Sequence, residues 1–516
     1  MKKKIAIYCD FNNSSGLGHL SRMKNLSREL EKKGAECYFL FNKSYKEHVL
    51  RHTKDFRIIL FSKKNKTESI KKILIENNFS IIILDSYEDN LYLEKTLVNK
   101  GFFVVSIDDH LRDHFSNIVV SNRLEEGNPH NKKSNQVWLM GNKYILVTGG
   151  IKKIKSSKHK LKKIKLLLHA GGSSSFKYIK EFTESAFVAI NRYNLDAYVL
   201  CTSNISKKYI TAVTKKYNSF DNIKILPFIK NLSEKVKDFD LVAGPAGTTT
   251  FESIMAGVIP FSVPIKNDGR DSVNSWNSLG HLAHLSNTEK KNKIILEDMW
   301  LLIIKNYQQL LSLLNKSSKQ LDGFGPRRLA EKIIFYYKQS SKNLMNKKII
   351  KKNNSLVSKE CNVSDIRYFL KARNHKLTRS MSITSHIITW PEHVNWWLRS
   401  DIRKFKLIKR NTILAYYWTK INKDNKGKFI TSAWFLSKNL PNKLQLAYEI
   451  LKFQYKFVKK TYKNLTWIIT MKKKNKFVQR LNNKFGFYPA NKNSIIRIQD
   501  SFARIKNTIQ VMEMKV

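Results

Sequence analysis

The run Ile5-Ala6-Ile7-Tyr8-Cys9-Asp10, the loop Phe11-Asn12-Asn13-Ser14-Ser15 and the turn Gly16-Leu17-Gly18-His19, opening on Leu20-Ser21-Arg22-Met23, decide the fold. An unbroken apolar run suits a strand covered on both faces, as strands of a parallel sheet are. Behind the turn, Leu20, Met23, Leu26 and Leu30 recur at helical spacing and share one face. A strand passing through a glycine turn into a helix begins a βαβ unit. Gly16 and Gly18 let a ligand approach the backbone, and the helix N-terminus offers N–H groups to an anion. No third glycine follows at the dinucleotide spacing, so the turn predicts an anion site without a dinucleotide. His19 stands at its mouth, and an imidazole titrating near neutrality is the usual general base.

Outward from this unit, β-branched runs alternate with helical segments to about residue 325. The first half offers strands at Ile5–Cys9, Glu36–Phe41, Ile58–Phe61, Ile81–Leu84, Phe102–Ser106 and Ile118–Val120. A polar, lysine-rich break from about Gly150 to Lys163 precedes a second set, at Ile164–His169, Ala197–Cys201, Ile223–Ile225, Leu241–Ala243 and Ile259–Val263. Such a pattern predicts an α/β protein with two Rossmann-like domains, 1–149 and 150–335, facing one cleft. A Lys/Asn-rich stretch, 336–360, reads as a linker. Beyond it, 361–516 reads as an α+β domain, because several strands precede one long helix, Leu444–Lys459, rather than alternate with helices.

The second half repeats the anion-binding theme. Strand Leu166–His169 runs into Ala170-Gly171-Gly172-Ser173, whose amides and hydroxyls suit phosphate oxygens. Strand Leu241–Ala243 runs into Gly244-Pro245-Ala246-Gly247-Thr248-Thr249, a helix start whose dipole would face a diphosphate. Glu252, one turn inside, can accept hydrogen bonds from ribose hydroxyls. Two such loops opposite the GxGH turn favour a nucleoside diphosphate. Asp238-Phe239-Asp240 resembles a metal-binding DxD, but it enters its strand at the end away from the cleft, so a solvated pair and no metal site are expected.

Composition limits the alternatives. Lys+Arg 95 against Asp+Glu 40 gives a net charge of +55, which invites a nucleic-acid or anionic-surface function. The lysines are dispersed along the whole chain, so no nucleic-acid partner is expected. A hydrophobic fraction of 42% and 11% aromatics exclude disorder as the dominant state. No apolar run approaches the roughly 20 residues of a membrane span, and the apolar stretch behind Met1-Lys2-Lys3-Lys4 is too short for a secretion signal. Cys9, Cys37, Cys201 and Cys361 show no CxxC pairing, so a reducing cytoplasm is expected.

Several residues carry a more specific resemblance. The GxGH turn, Asp85-Ser86-Tyr87, Asp108-Asp109, Gly171-Gly172, Ala246 to Glu252, and Lys266-Asn267 with Trp276 and Gly280 behind it occur in that order. Residues 1 to 325 resemble the UDP-sugar hydrolases of pseudaminic acid biosynthesis, metal-independent relatives of the GT-B glycosyltransferases, of which the lipid II-forming MurG is one. The resemblance implies a GT-B arrangement and release of UDP, with inversion and without a cofactor, from a diacetamido-trideoxy-altrose nucleotide. It implies His19 as the base on water, and Tyr87 and Asn267 near the sugar. It also implies Gly171, Gly172, Ser173, Gly247, Thr248 and Thr249 at the diphosphate, and Glu252 at the ribose. Asp268 replaces the glutamine usual after the asparagine, which bears on the sugar accepted. A GT-B glycosyltransferase using a UDP-sugar on the same scaffold is the alternative.

Further on, Arg373-Asn374, Ile383, Ile388, His393, Trp396-Trp397, Asn475 and Phe485-Gly486-Phe487 are similar to GNAT acetyltransferases, most of all the aminosugar N-acetyltransferase of the same pathway. That implies acetyl-CoA as a ligand, with Lys443 and Asn475 beside it, and other enzymes of sialic-acid-like sugar synthesis as partners. Two departures stand out. No glycine occurs from Lys438 to Ala447, where the family has its pyrophosphate loop, and Asn482 stands where a tyrosine is usual.

Overall fold

The computed structural model describes residues 3–10, 18–46, 49, 53, 55–62, 64–86, 88, 90–108, 112–121, 136–148, 163–171, 176–200, 222–227, 229, 232–264, 273–317, 319, 321–340, 355–410, 412–438, 442–499 and 508–516. The chain divides into two compact units, Met1–Asn346 and Lys347–Val516.

The first unit holds two parallel sheets. In the first, β1 (Lys3–Cys9), β2 (Ala35–Asn42), β3 (Arg57–Phe61), β4 (Ile81–Asp85), β5 (Phe103–Ile107), β6 (Ile118–Ser121) and β7 (Val137–Met140) lie in the order β3-β2-β1-β4-β5-β6-β7. Side chains alternate along a strand, and each face has its own cover. Ile5, Ile7 and Cys9 pack under helix α1 (Gly18–Lys32) through Leu20, Met23, Leu26 and Leu30. Ala6, Tyr8, Ile82 and Leu84 pack under α2 (Lys66–Glu76) and α3 (Leu91–Asn99) through Ile70, Leu74, Leu93 and Leu97. Leu26 is fully buried, so Leu26→Ala would cost about 2–5 kcal/mol.

The second sheet joins β8 (Lys165–His169), β9 (Asp196–Leu200), β10 (Ile223–Leu226), β11 (Leu241–Gly244) and β12 (Ile259–Ser262) in the order β10-β9-β8-β11-β12. Around it lie α4 (Phe176–Tyr193), α5 (Thr248–Met255), α6 (Val273–Ser278), α7 (Lys293–Lys305) and α8 (Tyr307–Ser317). Helix α9 (Gly325–Ser340) follows this sheet in sequence, yet its Leu329, Ala330 and Ile333 are part of the core beneath β1 and α1. A Cβ on Gly325 would lie 2.0 Å from the Ile145 carbonyl oxygen, so the crossing back to the first half needs glycine there.

The linker expected over 336–360 is narrower than the lysine content suggested. Helix α9 continues through Ser340 because Phe335, Tyr336 and Tyr337 keep contacts with cations and rings, and β13 (Leu356–Glu360) is already a paired strand; 341–354 lie outside the described residues. The DxD is not a solvated pair either. Asp238 is exposed, but buried Asp240 accepts the Lys165 backbone N–H at 2.9 Å, pinning β8 to the entry of β11.

The second unit forms one mixed sheet from β13, β14 (Ile402–Lys409), β15 (Thr412–Asp424), β16 (Gly427–Leu436), β17 (Thr466–Lys472), β18 (Tyr488–Pro489) and β19 (Ile509–Lys515), in the order β13-β14-β15-β16-β17-β19-β18. Every neighbouring pair is antiparallel except β16 and β17. Adjacent Tyr416 and Tyr417 point to opposite faces. Tyr416 packs with Phe369 of α10 (Ile366–Asn374), beside which lie α11 (Lys376–Met381) and α12 (Trp390–Trp397). Tyr417 packs with Ile450 of α13 (Lys443–Thr461), and α14 (Lys476–Lys484) and α15 (Lys492–Gln499) complete the unit. Among the described residues, no helix is long and apolar enough to cross a membrane.

Candidate active site

Parallel sheets bind ligands at the carboxyl ends of their strands, where the strand order reverses. In the first sheet the reversal falls between β1 and β4, and in the second between β8 and β11. The four chain segments leaving these strands carry Asp10 and then Gly18-His19, Asp85-Ser86, Gly171, and Gly244 to Thr249. Both halves thus place the residues singled out above at their own reversal points. The starts of α1 and α5 also meet, since a Cβ on Gly18 would sit 3.4 Å from Thr248 Oγ1. Two helix N-termini therefore converge, each presenting first-turn N–H groups that have no partner within the helix.

On the first-half side, His19 is buried and its Nδ1 lies 2.9 Å from Asp85 Oδ1. Asp85, fully buried at the end of β4, also accepts Arg22 Nε at 2.7 Å on Oδ2 and Arg22 Nη2 on Oδ1. Burial pushes the Asp85 carboxyl up, but the charges and hydrogen bonds of Arg22 and His19 outweigh it and hold the group at about 2. An ionised Asp85 can accept a hydrogen bond from Nδ1–H, in the tautomer whose Nε2 carries the lone pair, and Arg22 Nη2 lies 3.1 Å from the same Nδ1. Arg22 follows His19 by one helical turn, so the helix presents both to the same carboxylate. Asp10 is tied in by Ser86 Oγ, which donates to its carboxylate at 3.0 Å, and its backbone N–H donates to the Asp85 carbonyl at 3.0 Å.

On the second-half side, the buried histidines are neutral. Buried His169 ends β8; its Nδ1 accepts the Gly171 N–H at 3.1 Å, and burial lowers the ring to about 4, keeping it uncharged. Gly171 has φ +67, in the region glycine favours, and a Cβ there would meet Pro245 Cγ at 3.4 Å. The turn after β8 therefore lies against the turn after β11. At the start of α5, Thr250 Oγ1 accepts the Gly247 N–H at 3.3 Å and meets Ser262 Oγ at 3.0 Å. His281 Nε2 meets the same serine at 3.0 Å, and burial holds His281 at about 3. Thr248 and Thr249 form the first turn, and Glu252 stands on the next, half-buried, where desolvation raises its carboxyl to about 7.

Gly18, His19, Gly171, Gly247, Thr248, Thr249 and Glu252 thus belong to one region of the first unit, whereas Gly16, Tyr87, Gly172, Ser173, Asn267 and Asp268 lie outside the described residues. In the second unit, Lys443 is the exposed first residue of α13, behind Asn442 in the left-handed conformation. Asn475 caps α14, its Oδ1 accepting the Val478 N–H at 3.4 Å. These two sit at different helix starts. Asn482 is buried, with Nδ2 3.9 Å from Met471 Sδ. Sequence reasoning missed Arg22, His169 and the Ser262–His281 pair, and it quoted Asp85 without a role. The i, i+3 spacing of His19 and Arg22 on one helix was the available signal.

Comparison with known proteins finds one family model that falls on the turns of the second half. Residues 166–270, which contain the Gly171 and Gly244–Thr249 turns, match the model of the glycosyltransferase family 28 C-terminal domain. An uncharacterized protein of Methanocaldococcus jannaschii, MJ1062, is 24% identical over 415 residues, spanning 78% of this chain and 79% of its own length. Similar solved structures include MurG of Acinetobacter baumannii, with 15% identity, TM-score 0.49, and coverage of 64% of this chain and 99% of that one. A putative UDP-N-acetylglucosamine 2-epimerase of Listeria monocytogenes shows 11% identity, TM-score 0.49, and coverage of 66% and 97%.

Proposed function

We propose that the first unit hydrolyses a UDP-sugar at its anomeric carbon, with His19 as the base on water. The observation that carries this reading is the buried His19–Asp85 pair beside converging helix starts. Asp85 holds the imidazole in one tautomer and stabilises the imidazolium formed when Nε2 takes a proton from water. Water oxygen bonds to the anomeric carbon as the bond to the diphosphate oxygen breaks, and UDP leaves with the electron pair. First-turn amides at Gly18, Thr248 and Thr249 can meet that developing charge without reorganisation. Glu252, one turn further on, suits hydroxyls of the nucleoside. We take the sugar to be the diacetamido-trideoxy-altrose of pseudaminic acid synthesis.

The match of 166–270 to a glycosyltransferase domain favours a second reading, in which an acceptor hydroxyl replaces water. One experiment separates the two. The full chain is incubated with UDP-2,4-diacetamido-2,4,6-trideoxy-β-L-altropyranose in ¹⁸O-enriched water, and UDP and the free sugar are analysed. Hydrolysis at carbon places the label in the sugar and none in UDP, and His19→Ala should lower the rate by about 100-fold or more. UDP release that requires an added acceptor would establish the transferase instead, and an unchanged rate in His19→Ala would remove the base.

For the second unit we infer acetyl transfer from acetyl-CoA to an aminosugar. Strands β16 and β17 run parallel for only Phe429↔Thr466, Ile430↔Trp467 and Thr431↔Ile468 and then part, although β16 continues to Leu436. Parting strands leave backbone N–H and C=O groups facing a gap, which fits the amide-bearing pantetheine arm of CoA. The start of α13, with Lys443, would meet the pyrophosphate.

A further inference from the structure

The segment leaving β4 after Asp85 is tied down by a charged chain that the hydrolytic reading does not use. The Arg112 guanidinium donates from Nη2 to the Ser86 carbonyl at 3.0 Å and from Nη1 to the Glu88 carbonyl at 2.9 Å. Its Nε donates to Asp108 Oδ1 at 3.0 Å, and its backbone N–H to Asp108 Oδ2 at 2.9 Å. Asp108, fully buried just past β5, has His114 Nε2 at 3.5 Å, and His114 Nδ1 lies 2.8 Å from Glu94 Oε1 on α3. Glu94 in turn accepts Ser106 Oγ at 2.6 Å and the Phe115 N–H at 2.7 Å. The result is an alternating series, Glu94, His114, Asp108, Arg112, anchored in the sheet and ending on two backbone carbonyls.

Those carbonyls belong to the residues that follow Asp85. Upstream, Asp85 is fixed by its ladder partners Cys9 and Ile107; downstream, the chain leaves the sheet and Ser86 is its first residue. An arginine placed only to balance charge would spend its fork on the carboxylate alone. Here one nitrogen serves Asp108 and the two others serve the exit from β4.

We propose that Arg112 is a positioning residue: it fixes the exit from β4 so that the Asp85 carboxylate keeps its hydrogen bond to His19. Arg112 meets the segment leaving β4 through the Ser86 and Glu88 carbonyls, and neither of these contacts is to His19. This inference rests on the reading of His19 as the base, but its test does not depend on turnover alone. An Nδ1 proton held by a buried carboxylate gives a low-field proton signal in protein with ¹⁵N-labelled histidine, assigned by its disappearance in His19→Gln. The signal should be present in the parent full chain, weakened or lost in Arg112→Ala, and largely kept in Arg112→Lys, whose ammonium still reaches a carbonyl. In parallel, kcat for UDP release should fall by about 10- to 100-fold in Arg112→Ala, the range expected when a catalytic pair shifts by about an ångström. An unchanged His19 signal in Arg112→Ala overturns the proposal even if activity falls. An unchanged signal in Arg112→Lys with full loss in Arg112→Ala supports it even if His19→Ala keeps its activity and the hydrolytic reading fails.

Discussion

Substituting Gly244 by alanine tests how the two turns of the second half are locked together. A Cβ on Gly244 would lie 2.4 Å from His169 Nε2 and 2.6 Å from Cδ2 and Cε1. Ordinary contact begins near 3.4 Å, so the ring must retreat by 3.4 − 2.4, about 1 Å. His169 is only 4% exposed and ends a strand, so its ring has little room. Retreat also pulls Nδ1 away from the Gly171 N–H, which it now accepts at 3.1 Å. Overpacking of this kind costs about 1–3 kcal/mol and the lost hydrogen bond about 1 kcal/mol, so Gly244→Ala should destabilise the first unit by about 2–4 kcal/mol. His169→Ala alone removes the acceptor and leaves a hole. In the double variant the new methyl group occupies part of that hole, so the pair should be less destabilised than the sum of the singles, by about 1–3 kcal/mol. Urea unfolding of the full chain measures the cycle, and calorimetry with UDP should show weaker binding in Gly244→Ala, recovering in part in the double variant. A single substitution within about 0.5 kcal/mol of the parent, or a cycle additive within that margin, would refute the close packing of His169 on β11.

Two further outcomes follow from the charges and from the second unit. Burial alone would lower His114, but the carboxylates of Asp108 and Glu94 outweigh it and raise the ring from 6.5 to about 9. A raised folded-state value means that its stabilisation, about 3 kcal/mol at most, is fully present below pH 6.5 and disappears as the pH rises through about 9. The urea midpoint of the parent should therefore fall between pH 7 and 9.5, and His114→Asn should flatten that slope; equal slopes would show that His114 is not held as a cation. In the second unit, calorimetry of the full chain should detect acetyl-CoA, and Ala433→Trp, on the stretch of β16 beyond its last pair with β17, should weaken it by obstructing the gap. Absence of any acetyl-CoA binding by the parent would show that the strand fork has another use.

The first unit was legible where a local pattern carried the information. Ile5 to Cys9 reads as a strand covered on both faces, and the structure shows both covers. The turns at Gly18, Gly171 and Gly247 were found by residue type and strand–turn–helix order, and the fold brings them to the two reversal points. What escaped reading depends on distance along the chain. Asp85 meets His19 across 66 positions, and nothing in Asp85-Ser86 announces a bond to an imidazole. Helix α9 shows a plain amphipathic face, but the sheet it covers cannot be read from the face itself. In the second unit β19 was missed because Glu513 interrupts its apolar residues, although that carboxylate is buried and accepts Asn491 Nδ2 at 3.0 Å.

The net charge of +55 suggests that lysine gathers the anion, yet the described groups around the cleft divide the work differently. On the first-half side the cations are committed: Arg22 to Asp85, Lys66 to Glu88, Arg112 to Asp108, and His114 to Glu94. The acids, scarce in the chain as a whole, are concentrated here to hold those cations in place. On the second-half side His169 and His281 are kept neutral by burial, and the turn from Gly244 to Thr249 contains no charged side chain. A diphosphate in this cleft would therefore be met chiefly by backbone amides of two helix starts, whose positions are set by glycines and by the His169 and Ser262 contacts. Dispersed lysines raise the potential through which an anion approaches, an effect screened beyond about 8–10 Å at physiological salt. Among the described residues, the donors at the two helix starts carry no net charge, so the charge of the chain says less about this cleft than the geometry of its turns does.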